Sequence, residues 1–173
     1  MNTKRNAALE MNAADFKEAG YQLVDKIADF IQNIDERPVT YGQKPTQIRA
    51  KIGEGNLPLE GADAKELIAN ASDLMMNNSL FNGHPKFWGY ITASASPIGA
   101  LGDMLTAAIN ANCGAYILSP VATEIEKQTV KWLAELIGYN TDCGGVLVSG
   151  GNMANFTAFL AAKFTPLHKP TLL

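Results

Sequence analysis

Cysteine is nearly absent: the 173 residues hold two, Cys113 and Cys143. That number and spacing exclude a disulfide framework and a cysteine-based zinc site, so both thiols read as buried or incidental. No metal-ligand spacing occurs elsewhere. Long apolar runs are also lacking, which excludes a bilayer-spanning helix. Met1–Glu10 is polar and charged, without the apolar core of a signal peptide. A cytoplasmic location is the default expectation. Charge of one sign is lacking too. A net charge of −3 gives no electrostatic reason to expect nucleic acid or an anionic membrane as partner. Internal repeats and low-complexity segments are missing. So are a P-loop and a dinucleotide fingerprint.

What is present is a hydrophobic fraction of 47% against 18% charged residues, enough to bury a core. The length suits one domain or part of a larger one. Asn12 to Ile34 reads as an amphipathic helix, with Phe16, Leu23, Val24, Ile27, Phe30 and Ile31 at helical spacing. Asn12 is the expected N-cap, and Arg37-Pro38 ends the run. Pro38 to Pro58 reads as extended and loop-like. A second helix is expected from Asp63 to Asn78. Two helices joined by a connector poor in apolar residues read as an arm that packs on another part of the chain or on a partner subunit.

Composition shifts at His84. The aromatic run His84-Pro85-Lys86-Phe87-Trp88-Gly89-Tyr90-Ile91 predicts extended structure or a tight loop. Ser96-Pro97 and Ser119-Pro120 each pair a capping serine with a proline at the first helical position. They predict helices to about Asn112 and to Ile137, the second stopped by Gly138.

The most informative local feature is the segment from Gly144 to Asn155. Val146 to Val148 is a short β-prone run. Ser149, Gly150 and Gly151 follow, and then a helical segment from Asn152 to Lys163. Glycines let the backbone turn tightly and approach a ligand closely. Free N–H groups at a helix start favour an anion, most naturally a phosphate. On spacing alone, a phosphate site and a plain strand-to-helix turn both remain open.

Four blocks, in order from about Met11 to Lys163, together resemble the group II pyridoxal-phosphate-dependent amino-acid decarboxylases, which include the aromatic-L-amino-acid, tyrosine, histidine and glutamate enzymes. Met11-Asn12-Ala13-Ala14-Asp15-Phe16 resembles that family's opening helix. His84 to Tyr90 resembles its His-Pro-x-Phe-x-x-Tyr segment, and Ser119 to Glu126 its Ser-Pro-x-x-Thr-Glu-x-Glu helix. Ser149-Gly150-Gly151-Asn152-Met153-Ala154-Asn155 resembles its Ser-Gly-Gly-Ser-x-Ala-Asn loop.

The resemblance implies an α/β protein of fold type I, the pyridoxal-phosphate-dependent transferase-like fold. Residues 1–83 would be an N-terminal helical arm that clasps a second subunit of a homodimer. Residues 84–173 would be the first part of the large domain, built around a mostly parallel sheet. It implies pyridoxal 5'-phosphate as cofactor and an L-amino acid, most readily an aromatic one, as the substrate that loses CO2. Gly151 and Asn152, with Ser149 and Gly150, match the loop that holds the cofactor phosphate; Asn152 replaces the family's usual serine. Tyr90 matches a pocket-lining aromatic. Ala93 falls near a substrate-contacting threonine of some aromatic-specific members, and Gly114 where some carry a bulky aromatic. Both departures count against an aromatic substrate. His84 would touch the cofactor pocket or order its loop, and Glu124 reads as structural.

The family's Schiff-base lysine, stacking histidine and ring-nitrogen aspartate are expected beyond this segment, which reads as a truncated N-terminal fragment. His168-Lys169 follows the Gly-rich loop too soon to be the lysine element. Two other readings accompany the decarboxylase: a non-catalytic remnant serving as a dimerisation or anion-binding module, and another fold type I enzyme such as an aminotransferase.

Overall fold

The computed structural model describes residues 10–164 except 54 and 56; His168-Lys169 lies outside the described residues. Six α-helices follow in order: α1 Ala13–Gln32, α2 Pro45–Ile52, α3 Ala64–Met76, α4 Pro97–Ile109, α5 Pro120–Leu136 and α6 Gly151–Phe164. Single 3-10 turns occupy Ile34–Glu36 and Tyr116–Leu118. The chain divides into two compact units between Ala100 and Leu101.

In the first unit, α1 starts where the sequence places it. The Asn12 side-chain oxygen accepts from the N–H groups of Ala14 and Asp15, both at 2.9 Å, so two donors of the first turn are satisfied. α3 is capped in the same way by Asp63. The two helices lie side by side. Lys65 Nζ reaches Glu18 at 2.7 Å, and Lys26 Nζ reaches Asp73 at 2.6 Å and the Ala69 carbonyl at 3.2 Å. These pairs step in the same direction along both helices, so α1 and α3 run parallel. A parallel pair needs a long return connection rather than a short hairpin loop, and residues 33–63 supply it. The residues that each helix buries are small: Ala19 on α1 and Ser72 on α3. An open apolar groove of about 400 Å³ includes Leu23, Ile27, Met75 and Pro97 in its lining.

The connector is not wholly extended, as the sequence reading had it. Pro45–Ile52 forms the two-turn helix α2, with Pro45 in its first turn and Gln47 reaching back to accept from the Lys44 N–H at 2.8 Å. Proline's fixed φ favours a helix start, and this local signal outweighs the scarcity of apolar residues. Behind the connector, the Phe81 ring packs edge-on against Phe30 at 5.1 Å and Tyr41 at 6.3 Å. Phe81 N–H donates to the Val39 carbonyl at 3.0 Å.

In the second unit, α5 ends as expected. Gly138 adopts φ +71°, and the N–H groups of Gly138 and Tyr139 return to the carbonyls of Glu135 and Ala134, a left-handed glycine stop. Its start differs from expectation. Pro120 does occupy the first turn, but the Ser119 side chain makes no capping hydrogen bond. The Ser119 carbonyl instead accepts from the Thr123 hydroxyl at 2.9 Å.

The sheet implied by the α/β reading is not formed by the described residues, which contain no strand. β pairing among them is confined to an isolated antiparallel bridge, Thr40 with Leu80. Val146 to Val148 carries no ladder. A parallel strand needs neighbours delivered by crossover connections, and here the Leu147 N–H goes to a side chain instead. Of the two readings of the thiols, the buried one does not hold: Cys113 is exposed and Cys143 half-buried, both free. Buried apolar side chains among the described residues are Ala19, Phe81 and Ala134, while many large ones stay exposed, Phe16, Leu133 and Phe159 among them.

Candidate functional site

α5 positions the segment that leads to the glycine turn. Val130 and Leu133 on one face of α5 join Val146 and Leu147 in lining an open apolar hollow of about 300 Å³. Gly145 makes the approach close: a Cβ added there would stand 2.5 Å from Val130 Cγ1, so no larger residue fits without displacement. One turn earlier on α5, Glu126 Oε1 accepts from the Leu147 N–H at 2.9 Å. The same motif's Glu124 has a different role, since it pairs with Lys127 at 2.8 Å within one turn of helix.

Two residues after Leu147 the chain turns into α6. Gly150 has φ +152°, a backbone conformation that L side chains rarely adopt. Its carbonyl accepts the first helical hydrogen bond, from Ala154 N–H at 3.0 Å, so Gly150 is the helix cap. Gly151, Asn152 and Met153 form the first turn, where N–H groups have no intrahelical acceptor. Cβ positions built on Gly150 and Gly151 meet nothing within 4 Å. Ser149, Gly150, Gly151, Asn152 and Met153 line an open depression of about 490 Å³. No acidic residue occupies the first turn, so no carboxylate of that turn opposes the partial positive charge of the helix start. The four residues singled out in the sequence, Ser149 to Asn152, thus share one concave surface that can receive an anion.

In the first unit, the residues from the aromatic segment have distinct settings. His84 is buried, at 3% exposure. Its Nδ1 accepts from the Lys86 N–H at 3.0 Å, and its Nε2 lies 2.9 Å from the Arg37 carbonyl oxygen. An acceptor on one side and a carbonyl on the other require the neutral ring with its proton on Nε2. Arg37 is itself held: its guanidinium donates to the Met76 carbonyl at 2.9 Å and lies over the Phe30 ring at 5.2 Å. His84 therefore orders its loop against the segment that follows α1. Tyr90 is exposed and carries φ +60°, a strained setting for a side chain of that size; its ring lies tilted against Phe87 at 6.0 Å. Ala93 lines a cleft of about 510 Å³ with Phe30, Ile34, Phe81 and Ser94. His84 and Tyr90 are not among that cleft's lining residues.

Sequence reasoning passed over Glu126 and Gly145. The signal for Glu126 was its place in the Thr-Glu-x-Glu block; only the distance to Leu147 separates its role from that of Glu124. No helix among the described residues is long and apolar enough to cross a membrane.

Comparison with known proteins gives the family. The family described as the pyridoxal-dependent decarboxylase conserved domain matches residues 45–169. The chain is 31% identical over 160 residues to the aromatic-L-amino-acid decarboxylase of Bacillus atrophaeus, covering 92% of this chain and 33% of that protein. It is 29% identical over 161 residues to the aromatic-L-amino-acid decarboxylase of Rattus norvegicus, with 88% and 33% covered. The chain thus spans about a third of the length of these curated relatives. Among solved structures, it superposes on Oryza sativa TDC with PLP and tryptamine at a TM-score of 0.77 and 22% identity, covering 91% of this chain and 33% of that one. It also superposes on the glutamate decarboxylase domain of a Vibrio parahaemolyticus protein at 0.74 and 18%, covering 93% and 36%. At these identities the superpositions bear on the fold alone. With its Gly-rich turn, its Ser-Pro helix and a family match over residues 45–169, the chain belongs to the pyridoxal-dependent decarboxylase family.

Proposed function

We propose that this chain supplies the phosphate cup and the subunit-clasping arm of a pyridoxal-phosphate-dependent carboxy-lyase that decarboxylates an L-amino acid of aromatic type. The observation that carries the proposal is the Gly150-Gly151 turn opening α6.

The residues of the turn fit the cofactor's phosphate. A Cβ built on either glycine meets nothing within 4 Å, and the first-turn N–H groups point their dipole at an anion. Gly151 and Asn152 bind it through backbone N–H groups, and the Ser149 hydroxyl and Asn152 amide add side-chain donors. Asn152 in place of serine lengthens the reach of one contact and leaves its backbone N–H unchanged. When bound, the cofactor supplies the electron sink for the charge left as CO2 departs. In the aromatic segment, His84 fixes the loop, Tyr90 presents an aromatic wall toward substrate, and the methyl of Ala93 leaves its cleft open. The strained backbone of Tyr90 supports a functional placement. The names of the curated relatives support an aromatic amino acid as substrate.

The arm, residues 1–83, clasps a second copy in a homodimer, and residues 84–173 begin the cofactor-binding domain. Support comes from the open apolar groove beside α1 and α3 and from exposed Phe16 and Tyr21 on α1. Such surface is costly to leave in water.

The test is phosphorus NMR of the purified chain titrated with pyridoxal phosphate and with inorganic phosphate, pyridoxal being added as a competitor and its binding read from the phosphate signal it displaces. Phosphate-bearing ligands that compete with one another, with pyridoxal binding at least about tenfold more weakly, are the expected result. A helical chain that binds all three alike, or none, refutes the proposal.

A further inference from the structure

The anion turn is only as well placed as the segment that feeds it, and that segment has no strand partner among the described residues. Two contacts dock it on α5. Gly145 lies so close to Val130 that a Cβ would meet it at 2.5 Å. Glu126 takes the Leu147 N–H across 21 residues of sequence at 2.9 Å. The second contact is charge-assisted and stronger than a neutral backbone bond. Leu147 is separated from Ser149 by Val148 alone, so whatever fixes Leu147 fixes the direction in which the turn starts.

We infer that Glu126 is a positioning residue for the cofactor-phosphate turn: by holding the Leu147 N–H against α5, it orients Ser149, Gly150 and Gly151 toward the phosphate. This rests on the function proposed above. It gives the two glutamates of the Thr-Glu-x-Glu block different roles, since Glu124 is committed to Lys127 on the same helix.

The charge of Glu126 and its hydrogen bond act on phosphate affinity with opposite sign. A carboxylate close to an anion site repels the anion, so removing its charge should by itself tighten phosphate binding. Positioning acts the other way. A Glu126→Ala chain loses the acceptor and is expected to bind inorganic phosphate about tenfold more weakly, equivalent to about 1.4 kcal/mol. Glu126→Gln keeps an acceptor oxygen and loses only the charge, so it should bind as tightly as the unmodified chain or more tightly. Glu124→Ala should leave binding unchanged.

The experiment titrates inorganic phosphate into all four chains by phosphorus NMR and follows amide exchange at Leu147, with circular dichroism to compare helix content. Weak binding and fast Leu147 exchange in Glu126→Ala, both restored in Glu126→Gln, are expected. Phosphate affinity in Glu126→Ala equal to or above that of the unmodified chain overturns the inference, even if Leu147 exchange rises. Equal weakening in the Ala and Gln chains overturns it as well. If Glu126→Ala loses helix content, the Gln chain decides: binding weaker than that of the unmodified chain overturns the inference. If the unmodified, folded chain binds no phosphate, the proposed function fails and the inference falls with it, a result distinct from the others.

Discussion

Replacing His84 with alanine should destabilise the first unit more than most single substitutions would. The ring is 3% exposed and both nitrogens are committed, Nδ1 to the Lys86 N–H at 3.0 Å and Nε2 to the Arg37 carbonyl at 2.9 Å. Each lost neutral hydrogen bond costs about 1 kcal/mol. The space left by the ring adds about 1 kcal/mol more where the surroundings relax only in part. The sum is about 3 kcal/mol, which for a unit of this size lowers the melting temperature by roughly 12–24 °C. Asparagine at the same position retains an oxygen that can accept from the Lys86 N–H two residues on, a local geometry that asparagine favours. His84→Asn should therefore lose about half as much. Urea unfolding followed by circular dichroism gives the stabilities. Amide exchange at Lys86 and Phe87, whose N–H groups bond the His84 ring and carbonyl, reports the loop itself. Both variants unfolding within about 0.5 kcal/mol of the parent would refute the view that His84 pins the aromatic segment to the chain at Arg37.

Gly145→Ala should cost about 1–3 kcal/mol through overpacking against Val130, and Val130→Ala on the same chain should recover part of it in a double-mutant cycle. Gly151→Asp places a carboxylate in the first turn of α6, which favours the helix yet repels phosphate; an unchanged helix signal with phosphate binding at least about tenfold weaker is the expected pairing. The Glu18 carboxylate, hydrogen-bonded to Lys65, holds the Lys65 ammonium above its usual value of 10.5. That raised value favours the folded state below the unfolded value and is lost as pH rises through the folded one. The stability difference between the parent and Glu18→Gln should therefore stay constant from about pH 7 to about pH 9 and shrink above about pH 10.5.

Local chemistry made much of this chain legible. Asn12 announced α1, Gly138 announced the end of α5, and Ser96 caps α4 by accepting from the Gly99 N–H at 3.3 Å. All three act within a few residues, where sequence and structure are nearly the same information. The glycine turn was legible for the same reason, because φ at Gly150 and the free first turn of α6 follow from glycine and from helix geometry. What stayed hidden acts over distance. Ser119 resembles Ser96 in sequence, yet its side chain makes no capping bond, because its backbone reaches Pro120 from the turn Tyr116–Leu118. The sheet was inferred from family resemblance, and a strand depends on neighbours that the strand's own residues do not encode. Glu126 and Glu124 are two residues apart with the same side chain, and only the fold decides that one reaches Leu147 and the other Lys127.

The parallel course of α1 and α3 also bears on how the chain acquires its structure. Lys26 and Asp73 are 47 residues apart, so the pair cannot zip up as a local hairpin, and loop closure must come first. During synthesis, roughly 2–10 s pass between the appearance of the two partners at ordinary ribosome speeds. Through that interval α1 has no partner helix, and a lone helix of 20 residues is only marginally stable in water. The apolar face of the nascent α1 is thus uncovered through that interval, and slowing translation between residues 33 and 63 would prolong the exposure.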